Sequence, residues 1–150
     1  MSNAFPIKTG SWDELGADAT IVRAEVFIKE QGIRAELEWD LLDATMTHVV
    51  VYDHANKPIA TGRLIAPEFP GGPAKIGRMA VLKSYRRRGV GDRVMNALLI
   101  AASARQYRHI ALSAQVYVTS FYSRHGFVVE GAPFDEVGIV HVMMHRYGNP

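Results

Sequence analysis

The chain contains no cysteine. That excludes a disulfide scaffold, thiolate zinc sites and cysteine nucleophiles, and is compatible with a reducing compartment. Long apolar runs are also missing. The longest, around "ALLIAA" and "HVVVY", fall well short of the roughly 20 residues that span a bilayer, so no membrane partner is expected. The opening stretch "MSNAFPIKTGSWDELGADA" carries no apolar segment of signal-peptide type, and the expected location is cytoplasmic. Repeats, low-complexity tracts and dividing linkers are absent, so residues 1–150 read as one domain, long enough to bury a core. A net charge of +2 is too small to argue for nucleic acid on its own, and the distribution of that charge matters more.

What is present reads as alternating helices and strands. "FPIKT" suits a short first strand, and Ile21, Val22, Val26 and Phe27 recur at helical spacing between Asp18 and Glu30. The acidic segment "AELEWDLLDA" fits a short helix or a loop. "THVVVYD", "PIATGRLIA" and "AKIGRMAVL" read as three strands, the first two joined by a turn at residues 54–57. From Gly89, Val90, Val94, Leu98, Ala101 and Ala102 form one helical stripe, which Met95 and Leu99 widen. "HIALSAQ", "TSFYSRHG", "FVVEG" and "GIVHVMMH" add a strand, a short helix and two strands. This order implies an α/β fold with a mixed sheet, because tight turns force antiparallel neighbours and helical crossovers permit parallel ones.

The positive charge is concentrated in "YRRRGVGDR", between a strand and a helix. The first N–H groups of a helix lack internal partners, and glycines let an anion approach them closely. Arginines beside them supply charge-assisted hydrogen bonds, so a ligand with several phosphates suits the turn. The bland alternative is a solvated basic loop capping a helix. Two familiar phosphate motifs fail: Gly91 is followed by Asp92-Arg93 rather than Lys-Ser/Thr, and Val94 stands where a dinucleotide fingerprint needs glycine.

Arg86-Arg87-Arg88-Gly89-Val90-Gly91 resembles the Arg/Gln-x-x-Gly-x-Gly/Ala motif of the GNAT superfamily of acyl-CoA-dependent N-acyltransferases. "QVYVTSFYSRHGF" resembles the family's downstream Asn-x-x-Ala-x-x-Leu-Tyr-x-x-x-Gly-Phe segment, with Tyr122, Gly126 and Phe127 matching. Gln115 stands where Asn is usual, Val118 where Ala is usual, and Phe121 where Leu is usual. With "VRAEVFIKEQGI", "ELEWDLLDATMTHVVVYD" and "GIVHVMMHR", the similarity extends from about Ile21 to Arg146 and looks like the ElaA-like subgroup. The resemblance implies a mixed, mostly antiparallel sheet of six to seven strands flanked by helices, with a splayed parallel pair in the middle.

It further implies acetyl-CoA as co-substrate and transfer of acetyl to a primary amine by direct attack. Arg86, Arg87, Arg88, Gly89, Val90, Gly91 and Asp92 would hold the pyrophosphate. Met79, Ala80 and Val81 would offer backbone groups to the pantetheine arm. Tyr122 would act as acid toward the departing thiolate. Candidates for the general base are Glu25, Glu30, Glu38, Asp40, Asp43 and His141, each with a duller reading as surface charge, wet loop or packed side chain. Glu38, Asp40, His141 and Arg78 are the candidates for the substrate side. Arg78, in an apolar strand, needs either a carboxylate from the acidic segment or an anionic substrate group. No metal is expected: His141 and His145 lie four residues apart on a strand, roughly 13 Å, beyond one tetrahedral ion. The acceptor would be a small-molecule or peptide amine, without nucleic acid, and a homodimer is plausible. Two rivals stand beside this reading: a CoA-binding module or sensor without turnover, and a nucleic-acid protein using "YRRR".

Overall fold

The computed structural model describes residues 4–38 and 40–148. Seven strands form one sheet in the order β1-β2-β3-β4-β5-β7-β6: β1 (Ile7–Gly10), β2 (Thr47–Tyr52), β3 (Pro58–Ile65), β4 (Ala74–Val81), β5 (His109–Gln115), β6 (Val128–Glu136) and β7 (Ile139–Tyr147). Four α-helices accompany it: α1 (Trp12–Arg23), α2 (Ala35–Glu38), α3 (Val90–Ala104) and α4 (Thr119–Ser123).

The first helix begins earlier than apolar periodicity suggested. Ser11 accepts from the Glu14 N–H while the Glu14 carboxylate accepts from the Ser11 N–H, a capping box that starts the helix at Trp12 rather than Asp18. From Ala24 to Glu30 the chain continues with π-helical hydrogen bonding. The wider turn carries Val26 and Phe27 into the core and leaves Gln31 over the C-terminal end of the sheet.

Burial fixes which helix covers which face. Leu15, Ala19 and Trp12 of α1 pack on Val50 and Tyr52, whereas Val94, Met95 and Leu98 of α3 pack with Val49, Val51, Leu64 and Ile76 on the opposite face. Strand β2 is therefore sandwiched and reads as a continuous apolar run rather than an alternation.

All neighbouring strands are antiparallel except β4 and β5. That parallel pair is hydrogen-bonded only at Ala74↔Ile110 and Lys75↔Ala111. Beyond Lys75 the two strands part, so the sheet opens into a V toward their C-terminal ends. A bulge sits on the β4 side of this V: two steps along β3, from Thr61 to Arg63, face three along β4, from Ala80 to Gly77. Within it Arg78 adopts φ +52°, a left-handed conformation uncommon outside glycine.

Candidate active site

Two structural features converge on the parted strands. The first is the turn between β4 and α3. Arg87 (φ +62°) and Gly89 (φ +77°) are both left-handed, and a backbone of this kind folds successive N–H groups toward one concave side. Within the turn, the first internal α-helical bond is from the Arg93 N–H to the Gly89 carbonyl. Among the described residues, no backbone N–H from Arg87 to Asp92 has an acceptor in the protein. Six unsatisfied donors at the positive end of a fifteen-residue helix form a strong anion cradle.

The three arginines divide their roles. Arg86 is held by Glu30 through two charge-assisted bonds of 2.6 and 2.7 Å and donates to the Val81 carbonyl at 2.9 Å. Arg88 lies over the rings of Phe5 and Tyr85. Arg87 is exposed and, among the described residues, makes no ion pair. The glycines divide as well. A side chain at Gly89 would meet open space but a left-handed backbone, whereas a Cβ at Gly91 would come within 3.2 Å of the Phe121 ring. Gly91 is thus small because α4 docks on it. Asp92 completes that docking, accepting from Arg124 (2.9 Å) and from His125 Nε2 (2.7 Å). These partners outweigh its partial burial and hold its carboxyl below the ordinary range. Its side chain belongs to the α3–α4 contact, and only its N–H faces the cradle.

The second feature is Tyr122 on α4. Its ring sits in the core with Leu112, Ala114, Val142 and Met144, edge-on to Phe121 and Phe127. The hydroxyl makes no hydrogen bond among the described residues, yet it is not one of the side-chain atoms sealed from solvent without a partner. Burial pushes this phenol up to about 12, so it is fully protonated at neutral pH.

The acidic segment proves to be neither a wet loop nor a set of free carboxylates. Glu38 and Asp43 are buried, and with Asp40 they neutralise Arg23, Arg63 and Arg78. Arg23 grips both Asp43 oxygens at 3.0 Å and gives Nε to Glu38 at 2.8 Å. Arg63 grips both Asp40 oxygens at 2.8 Å and also reaches Asp43 at 2.9 Å. Arg78 donates to the Glu38 carbonyl and approaches the Glu38 and Asp40 carboxylates at 3.2 and 3.4 Å, which is the structural pairing its strand position called for. Arg63 holds the Asp40 carboxyl down at about 2, and burial lowers Arg78. His48 Nε2 packs against the Asp43 carbonyl at 2.9 Å. Trp39, within the same segment, lies outside the described residues. Hydrophobicity patterns could not reveal this cluster, because its arginines come from α1, β3 and β4.

Of the other base candidates, Glu30 is committed to Arg86, which lowers its carboxyl, and Glu25 pairs with Lys29 on the exposed helix surface. His141 is buried on β7 beside Glu136. Gln115, on the parted stretch of β5, exchanges amide hydrogen bonds of 3.0 and 3.3 Å with Gln31 and accepts from the Tyr117 hydroxyl. It therefore ties the end of the π-helical segment to the open mouth of the V. Neither Gln31 nor Glu136 carried a sequence signal for the site. Among the described residues no group of three or more His, Asp or Glu is arranged to hold a metal ion, and no helix is long and apolar enough to cross a membrane.

An α/β sheet that opens between two parallel strands, with a donor-lined helix terminus beside the opening, is the architecture this chain shares with a solved acyl-CoA N-acyltransferase. Comparison with known proteins agrees. The family model described as "Acetyltransferase (GNAT) domain" matches residues 14–147. The chain is 41% identical over 130 residues to YjcF, an uncharacterized N-acetyltransferase of Bacillus subtilis, covering 86% of this chain and 90% of that one. An acyl-CoA N-acyltransferase from Pseudomonas aeruginosa superposes with a TM-score of 0.83 at 27% identity, covering 95% of this chain and 99% of that one. Escherichia coli ElaA shares the fold, with a TM-score of 0.83 at 24% identity over 94% of this chain and 99% of its own. The chain belongs to the GNAT family of acetyltransferases.

Proposed function

We propose that the protein transfers the acetyl group of acetyl-CoA to a primary amine by direct attack, with no acyl-enzyme. The observation that carries this reading is the run of six free N–H groups from Arg87 to Asp92 beside a parted strand pair. The pyrophosphate lies on those donors, and Arg87, exposed and with neither an ion pair nor a ring contact among the described residues, meets further phosphate oxygens. From Ile76 onward the edge of β4 facing β5 has no strand partner. Met79, Ala80 and Val81 there offer main-chain groups to the amides of the pantetheine arm, as in strand addition. The thioester then lies in the V.

Tyr122 reaches the V from the α4 side and donates its proton to the departing thiolate. A thiol of pKa about 8.5 is a fair leaving group, so the acid is worth a moderate factor rather than the whole rate. Met79 to Val81 hold the cofactor through backbone, which leaves their side chains to the core.

Titration calorimetry with acetyl-CoA tests the reading. Gly89→Asp is the variant of choice, because Asp tolerates a left-handed φ and its side chain enters open space. The added negative charge beside the cradle should weaken acetyl-CoA binding by about tenfold or more, about 1.4 kcal/mol. Wild-type protein that is folded and does not bind acetyl-CoA would overturn the assignment. Ordinary binding with no acylation of any amine would leave a CoA-binding module.

A further inference from the structure

The face of the C-terminal half-sheet that bears Gln115, His141 and Phe134 carries a built cluster of proton-handling side chains. Residues paired across neighbouring strands share a face, and Gln115 of β5 pairs with His141 of β7, which pairs with Phe134 of β6. His141 is only 4% exposed. Its Nδ1 lies 2.7 Å from the Ile139 carbonyl, an oxygen that can only accept, so the neutral ring carries its proton on Nδ1. Its Nε2 lies 3.4 Å from the Glu136 carboxylate, placed so that a proton taken up on Nε2 meets an acceptor. Glu136 is steadied from β5 by the Ser113 hydroxyl at 3.3 Å, and the imidazole stacks on Phe134. Glu136 is the one charged group against the ring among the described residues, with Gln115 and Ser113 facing it from β5.

Tyr122 belongs to the opposite face, on the α3 side, where α4 docks on α3 through Phe121 at Gly91 and through Arg124 and His125 at Asp92. A closed sheet would separate the two. The V between β4 and β5 is where the sheet is interrupted, and Ser113 and Gln115 lie on its parted stretch.

We propose that His141 is the general base of the acyl transfer, with Glu136 and Ser113 as positioning residues, and that the acceptor approaches as a protonated primary amine from the face opposite Tyr122. This rests on the acyl-transfer reading above. The ammonium gives one proton to His141 Nε2, directly or through one water, and Glu136 meets the charge that forms there. The free amine attacks the thioester carbon; the C–N bond forms and the C–S bond breaks. The thiolate takes the Tyr122 proton. The nitrogen loses its second proton, which restores Tyr122 through solvent, and His141 releases the first. The products are amide, CoA thiol and one proton. None of Glu25, Glu30, Glu38, Asp40 or Asp43 is needed.

The test uses His141→Asn, whose amide preserves the hydrogen bond to the Ile139 carbonyl while removing Nε2, and Glu136→Gln. Thiol release from acetyl-CoA is followed with small primary amines and a lysine-containing peptide; a cysteine-free protein gives no background with thiol reagents. His141→Asn should lower kcat/KM about 100-fold or more at neutral pH, with the deficit shrinking as the amine deprotonates unaided and with acetyl-CoA affinity unchanged. Glu136→Gln should lower it less and move the acidic limb of the pH profile. Activity of His141→Asn within about threefold of wild type at every pH would overturn the proposal. Wild-type protein unable to bind acetyl-CoA would instead overturn the acyl-transfer reading on which it rests. Binding of acetyl-CoA with no acylation of any amine would leave a CoA-binding module and overturn the proposal with it, and so would a proton on Nε2 of the neutral ring in the long-range 1H–15N spectrum of the imidazole.

Discussion

At the scale of single residues, Tyr122 shows how one side chain can be structural and chemical at once. Its ring is core, and its hydroxyl is the only part without a protein partner. Tyr122→Phe should therefore lower kcat about 10- to 100-fold while changing stability by no more than about 0.5 kcal/mol. Parallel activity and thermal-melting measurements check both halves, and a large loss of stability would mean that the hydroxyl has a structural role. With its phenol pushed up to about 12, Tyr122 stays protonated through neutral and mildly alkaline pH, so a fall in rate below pH 10 must come from another group. Gly91 teaches a different lesson. The motif marked it as a phosphate contact, and its missing Cβ also makes room for Phe121. A motif states which residue is required and leaves the neighbour that requires it unnamed.

At the scale of elements, the helices divide by what held them in the sequence. The apolar stripe of α3 was legible, since Val90, Val94, Met95, Leu98, Ala101 and Ala102 are its buried residues and Leu99 is half-buried against the same core. The start of α1 was not, because its first turn is specified by a cap rather than by apolar spacing. Ser11→Ala should cost about 1 kcal/mol, read as a lower melting temperature, with fraying confined to the first turn of α1 in amide exchange. Unchanged stability would show that packing of Trp12 and Leu15 alone sets that terminus. The bulge in β4 escaped notice for a related reason: Arg78 carries no glycine signal for its left-handed φ. The conformation is held from outside by Glu38 and Asp40 on another segment.

At the scale of the whole molecule, the arginine–carboxylate cluster joins α1, the acidic segment, β3 and β4 on the α1 face of the sheet. Three positive and three negative groups balance there, so removing one member leaves buried charge uncompensated. Asp43→Asn takes one carboxylate from Arg23 and Arg63 at once, leaving them Glu38 and Asp40, and should destabilise the fold by about 3 kcal/mol in denaturant titration. A loss below about 1 kcal/mol would show that the cluster is solvated in practice. The same cluster sets the acid limit. Burial depresses His48 below its ordinary value, so its neutral form contributes stability in full above about pH 6.5, and that contribution is lost as pH falls. Asp40, held at about 2, contributes above about pH 3.9 and loses its share as pH falls toward 2. Stability should accordingly be flat from neutrality to about pH 10 and decline in two stages on acidification, as melting temperatures across pH would show.

The sequence by itself determined the element order, the α3 stripe, the arginine–glycine turn and, through two spaced motifs, the family. These are local properties, carried by periodicity, turn chemistry and residue types within a dozen positions of one another. The tertiary structure decided which carboxylates are free. Glu38, Asp40 and Asp43 are consumed by arginines 15 to 40 positions away along the chain, and Glu30 by Arg86 at 56. His141 and Glu136 are brought together because β6 and β7 pair. Ion pairing between distant segments depends on how the strands are ordered in the sheet, and no local pattern records that order.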